Sequence, residues 1–82
     1  MLEIEERIRK DISLFSESMN KASKLALTEE ERKVVELAGM YAQDSEAWLR
    51  KKDLYTSFSS IAYAHGLMDA ILKIKGAYDE DK

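Results

Sequence analysis

The 82-residue chain contains no cysteine and no proline, and only three glycines. Without cysteine there is no disulfide and no thiolate-held metal, which suits a reducing compartment. Without proline nothing breaks a helix from within, and so few glycines leave long helices as the expected element. A basic excess is also missing. Lys and Arg number 13 against 16 Asp and Glu, a net charge of −3, whereas a dedicated nucleic-acid binder carries a clear positive balance. Nucleic acid is therefore not an expected partner. No apolar run approaches the roughly 18 residues of a membrane-spanning helix, so no membrane partner is expected either. The opening "MLEIEERIRK" is too charged for a secretory leader. A cytoplasmic location is the expectation.

What is present reads as a folded domain. Hydrophobic residues make up 45% of the chain and charged residues 35%, a globular rather than a disordered balance. The length allows a single domain over 1–82, folding of which buries only about 60–65% of the unfolded surface. No linker, low-complexity tract or internal repeat divides it.

Three segments carry helical periodicity. In the first, about 3–26, Ile4, Ile8, Ile12, Phe15, Met19, Ala22 and Ala26 fall on one face. Thr28 and Glu31 form a capping box that opens a second helix over about 29–51. Its inward set is Val34, Ala38, Tyr41, Ser45, Trp48 and Leu49, with Leu37 beside them. It closes on Arg50, Lys51 and Lys52, cations that suit the negative end of the helix dipole. Asp53 is the next N-cap, so the turn is short and the flanking helices must run antiparallel. The third helix spans about 54–75 with Gly76 as its stop, and the tail 76–82 is expected to fray. The fold class is all-α, an antiparallel up-and-down three-helix bundle.

The chemistry-bearing residues concentrate in the third helix. At about 100° per residue, Leu54, Phe58, Ile61, His65, Met68 and Leu72 share a stripe. The single histidine thus occupies a core-facing position, with Asp69 one turn on and within reach of the ring. Tyr41 and Asp44 on the second helix complete a candidate polar pocket with His65 and Asp69. A metal would need three or four ligands in suitable geometry, and no such set is spaced here, so no metal or other cofactor is expected. No nucleophile is marked for catalysis, and the chain is not expected to be an enzyme. The opposite side of the same helix holds Tyr63, Leu67, Ala70, Ile71 and Ile74, so its C-terminal half is apolar nearly all round. Such a helix must be covered on every side. These five residues are the candidate interface, for a second copy or another helical protein, and Ala62, Gly66 and Ala70 add a ridge of small residues.

The pattern Tyr41-x-x-Asp44, the turn Lys52-Asp53-Leu54-Tyr55, Phe58 and then "YAHGLMDA" from Tyr63 to Ala70 resembles a family of short archaeal proteins catalogued as domain of unknown function 357. The match is densest from Tyr41 to Ala70. The family's turn often carries Gly-Asp where this chain has Lys52-Asp53. The resemblance implies a three-helix bundle in an archaeal cytoplasm and brings no catalytic residues with it. Helical nucleases of the HEPN type place an arginine shortly before a histidine on one helix. The nearest arginine before His65 is Arg50, on the preceding helix, so that pattern is absent. The leading expectation is a non-catalytic, self-associating interaction module. The alternative is a small-ligand or metal-binding protein built around His65 and Asp69.

Overall fold

A computed structural model describes residues 2–78. They form three helices and, among the described residues, no strand: α1 is Leu2–Ala22, α2 is Glu29–Arg50 and α3 is Leu54–Ile74. The arrangement is the all-α three-helix bundle that the periodicity implies. Ser45 meets Ser57 at one end of the α2–α3 hairpin and Glu31 meets Lys75 at the other, so these helices are antiparallel. His65 reaches Asp11 on α1, and Lys52, in the α2–α3 turn, reaches Glu5 near the start of α1. The shortest dimension of the Cα envelope, 15 Å, is close to two helix layers. Two axes about 9 Å apart, each with a Cα radius of about 2.3 Å, give nearly that. The hairpin is one layer, and α1 lies across one of its faces.

The α2–α3 contact is the most extensive of the three. Its seam is lined by Ala38, Ala42 and Ser45 from α2 and by Ser57, Ile61, Ala64, Met68 and Ile71 from α3, all buried. Ser45 Oγ donates to the Ser57 carbonyl at 2.8 Å, and Ser57 Oγ donates to the Ser45 carbonyl at 2.7 Å. Each hydroxyl has one hydrogen, and both are spent on carbonyls of the facing helix. The 3.0 Å approach of the two oxygens follows from that reciprocity. Two fully buried polar groups are thereby satisfied, so their burial carries no desolvation penalty of the unpaired kind. Against the seam, α1 packs Ile8, Phe15 and Ala22.

The caps follow the sequence closely. Thr28 Oγ1 accepts from the Glu31 amide at 3.1 Å, and Glu31 Oε1 accepts from the Thr28 amide at 2.9 Å, completing the capping box. Asp53 caps α3 with both oxygens, accepting from the Thr56 amide at 3.1 Å and its hydroxyl at 2.9 Å. The end of α1 differs from expectation. The helix stops at Ala22 rather than near Ala26, in a turn where Ser23 Oγ donates to the Asn20 carbonyl at 2.6 Å. Leu25 and Leu27 both pack partly against the core. Two positions apart on a helix they would face about 200° apart, so only a non-helical segment can bring both inward. The tail also departs from expectation in part. Lys75 is the C-cap of α3, Gly76 follows it in the left-handed conformation, and Ala77 and Tyr78 pack against the core. Residues 79–82 lie outside the described set.

Two helix ends use the same closing motif with different residues. After α2, the Asp53 amide donates to the Trp48 carbonyl and the Lys52 amide to that of Leu49. After α3, the Ala77 amide donates to Leu72 and the Gly76 amide to Lys73. Both are Schellman closures, which require a left-handed residue. That residue is Gly76 (φ 71°) in one case and Lys52 (φ 66°) in the other. A side chain at such a φ costs about 1–2 kcal/mol that glycine avoids. Lys52 thus holds a backbone conformation that glycine would adopt without strain. Part of the strain is offset by its 3.0 Å ion pair with Glu5. Lys52→Gly is expected to raise stability by about 0.5–1 kcal/mol net of the lost exposed pair, measured by urea unfolding. Gly76→Ala should lower it by a similar amount.

Ion pairs tie the chain at both ends of the bundle. Glu5 accepts from Lys52 and Arg9, each at 3.0 Å, and Glu31 accepts from Lys75 at 2.8 Å. The Lys52 ammonium, then the Arg9 guanidinium, hold the Glu5 carboxyl below the usual glutamate range. Lys75, then the Thr28 amide, do the same for Glu31. Carboxyls depressed in the folded state add stability above their unfolded pKa, which is lost as pH falls through the folded value. Replacing both residues with glutamine is expected to lower stability at neutral pH. The gap to the unmodified chain should close as pH drops below about 4, read from urea unfolding across pH.

Candidate functional site

His65 projects between α3 and α1, not toward α2. Its Nε2 lies 2.7 Å from the main-chain carbonyl oxygen of Asp11, and its ring meets Phe15 edge-on, with centroids 5.8 Å apart and planes at 87°. A carbonyl can only accept, so Nε2 carries the hydrogen and Nδ1 of the neutral ring is an acceptor. The anticipated bond to Asp69 is replaced by this one. It joins residues 54 apart in sequence and helps dock α1 on the hairpin. The helical carbonyl of Asp11 has a second lone pair for the purpose.

Beside the ring is a cleft of about 130 Å³ lined by Leu14, Ser18 and Lys21 of α1, His65, Asp69 and Leu72 of α3, and Tyr78 beyond it. The structure therefore keeps two members of the expected pocket together and separates the other two. Tyr41 stands on the far side of the hairpin, its ring 4.7 Å from that of Tyr63 at 79°. Asp44 is exposed on α2, and neither residue lines the cleft. In their place come Ser18, only 8% exposed, Lys21 and Tyr78. A signal for the first two exists in sequence: Leu14, Ser18 and Lys21 follow helical spacing along one flank of α1. Tyr78 carries no such signal, because it lies beyond the helix stop. Among the described residues no group of three or more His, Cys, Asp or Glu side chains could hold a metal ion.

The expected interface is also redrawn. Ile71 is 3% exposed and belongs to the core, because the buried face of α3 runs through Ser57, Ala64, Met68 and Ile71. Tyr63 is 50% and Ile74 68% exposed, Ala70 is exposed and Leu67 is half-buried. Across the hairpin from them, Leu37 and Trp48 are exposed rather than inward, and Lys51 Nζ sits 5.0 Å from the Trp48 ring. The Tyr41–Tyr63 contact places the two sets on one face, the face of the hairpin that α1 does not cover. The ridge of Ala62, Gly66 and Ala70 is exposed. A Cβ added at Gly66 would meet no atom within 4 Å.

Residues 10–76 match the model of a family described as protein of unknown function (DUF357). The chain belongs to that family. The match takes in the Schellman turn at Lys52, the Asp53 cap and the whole of the segment from Tyr63 to Ala70. No curated protein matches the chain. No helix among the described residues is long and apolar enough to cross a membrane.

The DUF357 chain's histidine thus has a structural partner on another helix, and its aspartate does not share that partner. His65→Ala is expected to cost about 1–3 kcal/mol, through the lost ring contact with Phe15 and the lost interhelical bond. Asp69→Ala should stay within about 0.5 kcal/mol of the unmodified chain. Thermal or urea unfolding of the pair decides it, since a His65–Asp69 bond would make both substitutions costly.

Proposed function

We propose that this DUF357 protein is a non-catalytic helical interaction module that pairs with a second copy of itself in the cytoplasm. The observation that supports the reading is the open face of the α2–α3 hairpin. Leu37, Tyr41 and Trp48 of α2 lie beside Tyr63, Leu67 and Ile74 of α3, with Asp44 between them and Lys51 over the Trp48 ring as charges of opposite sign. Large apolar side chains grouped on one face mark an association surface, whereas scattered ones need no explanation. A two-fold dimer brings identical patches together, so the patch must tolerate its own copy. A band with one acidic and one basic residue does so, where one charged with a single sign would repel itself. The same pairing would place a layer of helices where the hairpin has none. An archaeal setting remains part of this proposal through the resemblance of the turn and of Tyr63–Ala70.

Sedimentation equilibrium at tens of micromolar should give about twice the chain mass of 9.4 kDa. Leu37→Glu combined with Ile74→Glu should return the mass to that of one chain with helicity intact, because both positions are exposed. Ile71→Glu should instead unfold the chain, since it buries an unpaired charge. A single-chain mass for the unmodified protein at every concentration would defeat the proposal.

A further inference from the structure

We propose that the cleft between α1 and α3 is a binding site for a small zwitterion, an amino acid or amino-carboxylate of similar size. The inference is independent of self-association, because the cleft opens on the α1 side of the hairpin. Lys21 and Asp69 both line it, and no ion pair joins them. Opposite charges that face one cavity without meeting are the arrangement a zwitterion completes, its carboxylate toward Lys21 and its ammonium toward Asp69. A plain anion would be repelled by Asp69 and a plain cation by Lys21.

Further polar groups are available at the same place. Ser18 is nine-tenths buried, lines the cleft, and makes no side-chain hydrogen bond to another described residue. Its hydroxyl can donate once and accept twice, and the Tyr78 hydroxyl offers the same chemistry. His65 donates Nε2–H to the Asp11 carbonyl, so in the neutral ring the nitrogen left over is an acceptor. A preset acceptor loses little freedom on binding. Size narrows the class again. At about 130 Å³ the cavity is near the roughly 150 Å³ that accommodates benzene, and well short of the roughly 300 Å³ or more of drug-sized or nucleotide pockets.

His65 is the single histidine, so its imidazole nitrogen and carbon resonances are an assignment-free reporter inside the cleft. The intact protein is titrated into the millimolar range with glycine, β-alanine and γ-aminobutyrate, and separately with acetate and methylammonium. At least one zwitterion is expected to shift the His65 signals saturably while the two singly charged probes do not. Lys21→Met and Asp69→Asn should each weaken that zwitterion at least about tenfold. Circular dichroism first establishes that each variant is folded, with Lys21→Gln or Asp69→Ser substituted for one that is not. The proposal is overturned if no zwitterion produces a saturable shift, if acetate or methylammonium matches the effect, or if either folded variant binds as the unmodified chain does.

Discussion

Everything in this molecule depends on how closely α2 and α3 approach. Ser45 and Ser57 each reach the main-chain carbonyl of the other, over distances of 2.8 and 2.7 Å, which no larger side chain at these positions would permit. Ala38, Ala42 and Ala64 continue the small-residue seam along the hairpin. With the seam closed by small groups, large side chains have to stand on its flanks. On one flank His65, Leu72 and Leu49 meet α1. On the other, Tyr41 and Leu67 pack partly against the core, and Tyr63 and Trp48 stand exposed with no helix over them. The uncovered apolar face is therefore a consequence of the same packing that stabilises the hairpin.

The two serines also show why buried polarity is safe here. A hydroxyl inside a helix can turn back onto its own preceding carbonyl, which weakens or bends the helix. Directed across the interface, it fixes the register of one helix against the other. A slip by one residue would leave two buried hydroxyls unpaired, each costing about 1–3 kcal/mol. Apolar packing alone would tolerate such a slip far better, since Ile61, Met68 and Ile71 are close in volume and interchangeable to a degree. The caps at Thr28 and Asp53 and the ion pairs at Glu5 and Glu31 then set where each helix starts and how its ends are joined.

Much of this was legible in the sequence, and the failures have specific causes. Thr28 with Glu31, and Asp53, are local signals whose chemistry completes within a few residues, so they read correctly. The phase of α3 did not. Apolar residues surround most of its C-terminal half, so periodicity selects no unique inner face. Ile61, Met68 and Leu72 of the expected stripe are buried, but Leu54, Phe58 and His65 are only half-buried, and Ser57, Ala64 and Ile71 carry the buried face round to one side. Ile71 was accordingly read outward and lies in the core, while on α2 Trp48, read inward, is exposed and Tyr41 packs partly against the core. Serine at a core position is recognisable only once a partner is known. Ser45 and Ser57 stand equidistant from Lys51, a symmetry that has meaning only after the hairpin is assumed. The end of α1 was misread because Ala26 continues the period of the helix one turn beyond Ala22, while Leu25 and Leu27 on either side of it are the residues that pack inward.

The segment from Tyr63 to Ala70 shows how one stretch of helix can serve three surfaces at once. Ala64 and Met68 belong to the seam, fully buried. His65 and Asp69, one position further round, line the cleft against α1. Tyr63, Leu67 and Ala70 turn to the uncovered face of the hairpin. An i,i+4 repeat places each pair on its own surface, and successive pairs are rotated by about 100°. Polar, small and large apolar residues therefore interleave in a way that no single amphipathic pattern describes. The histidine and aspartate look paired in sequence because they share a face. They are divided in the structure because His65 has a main-chain partner 2.7 Å away on α1, and that division leaves the aspartate lining the cleft without the ring as its partner.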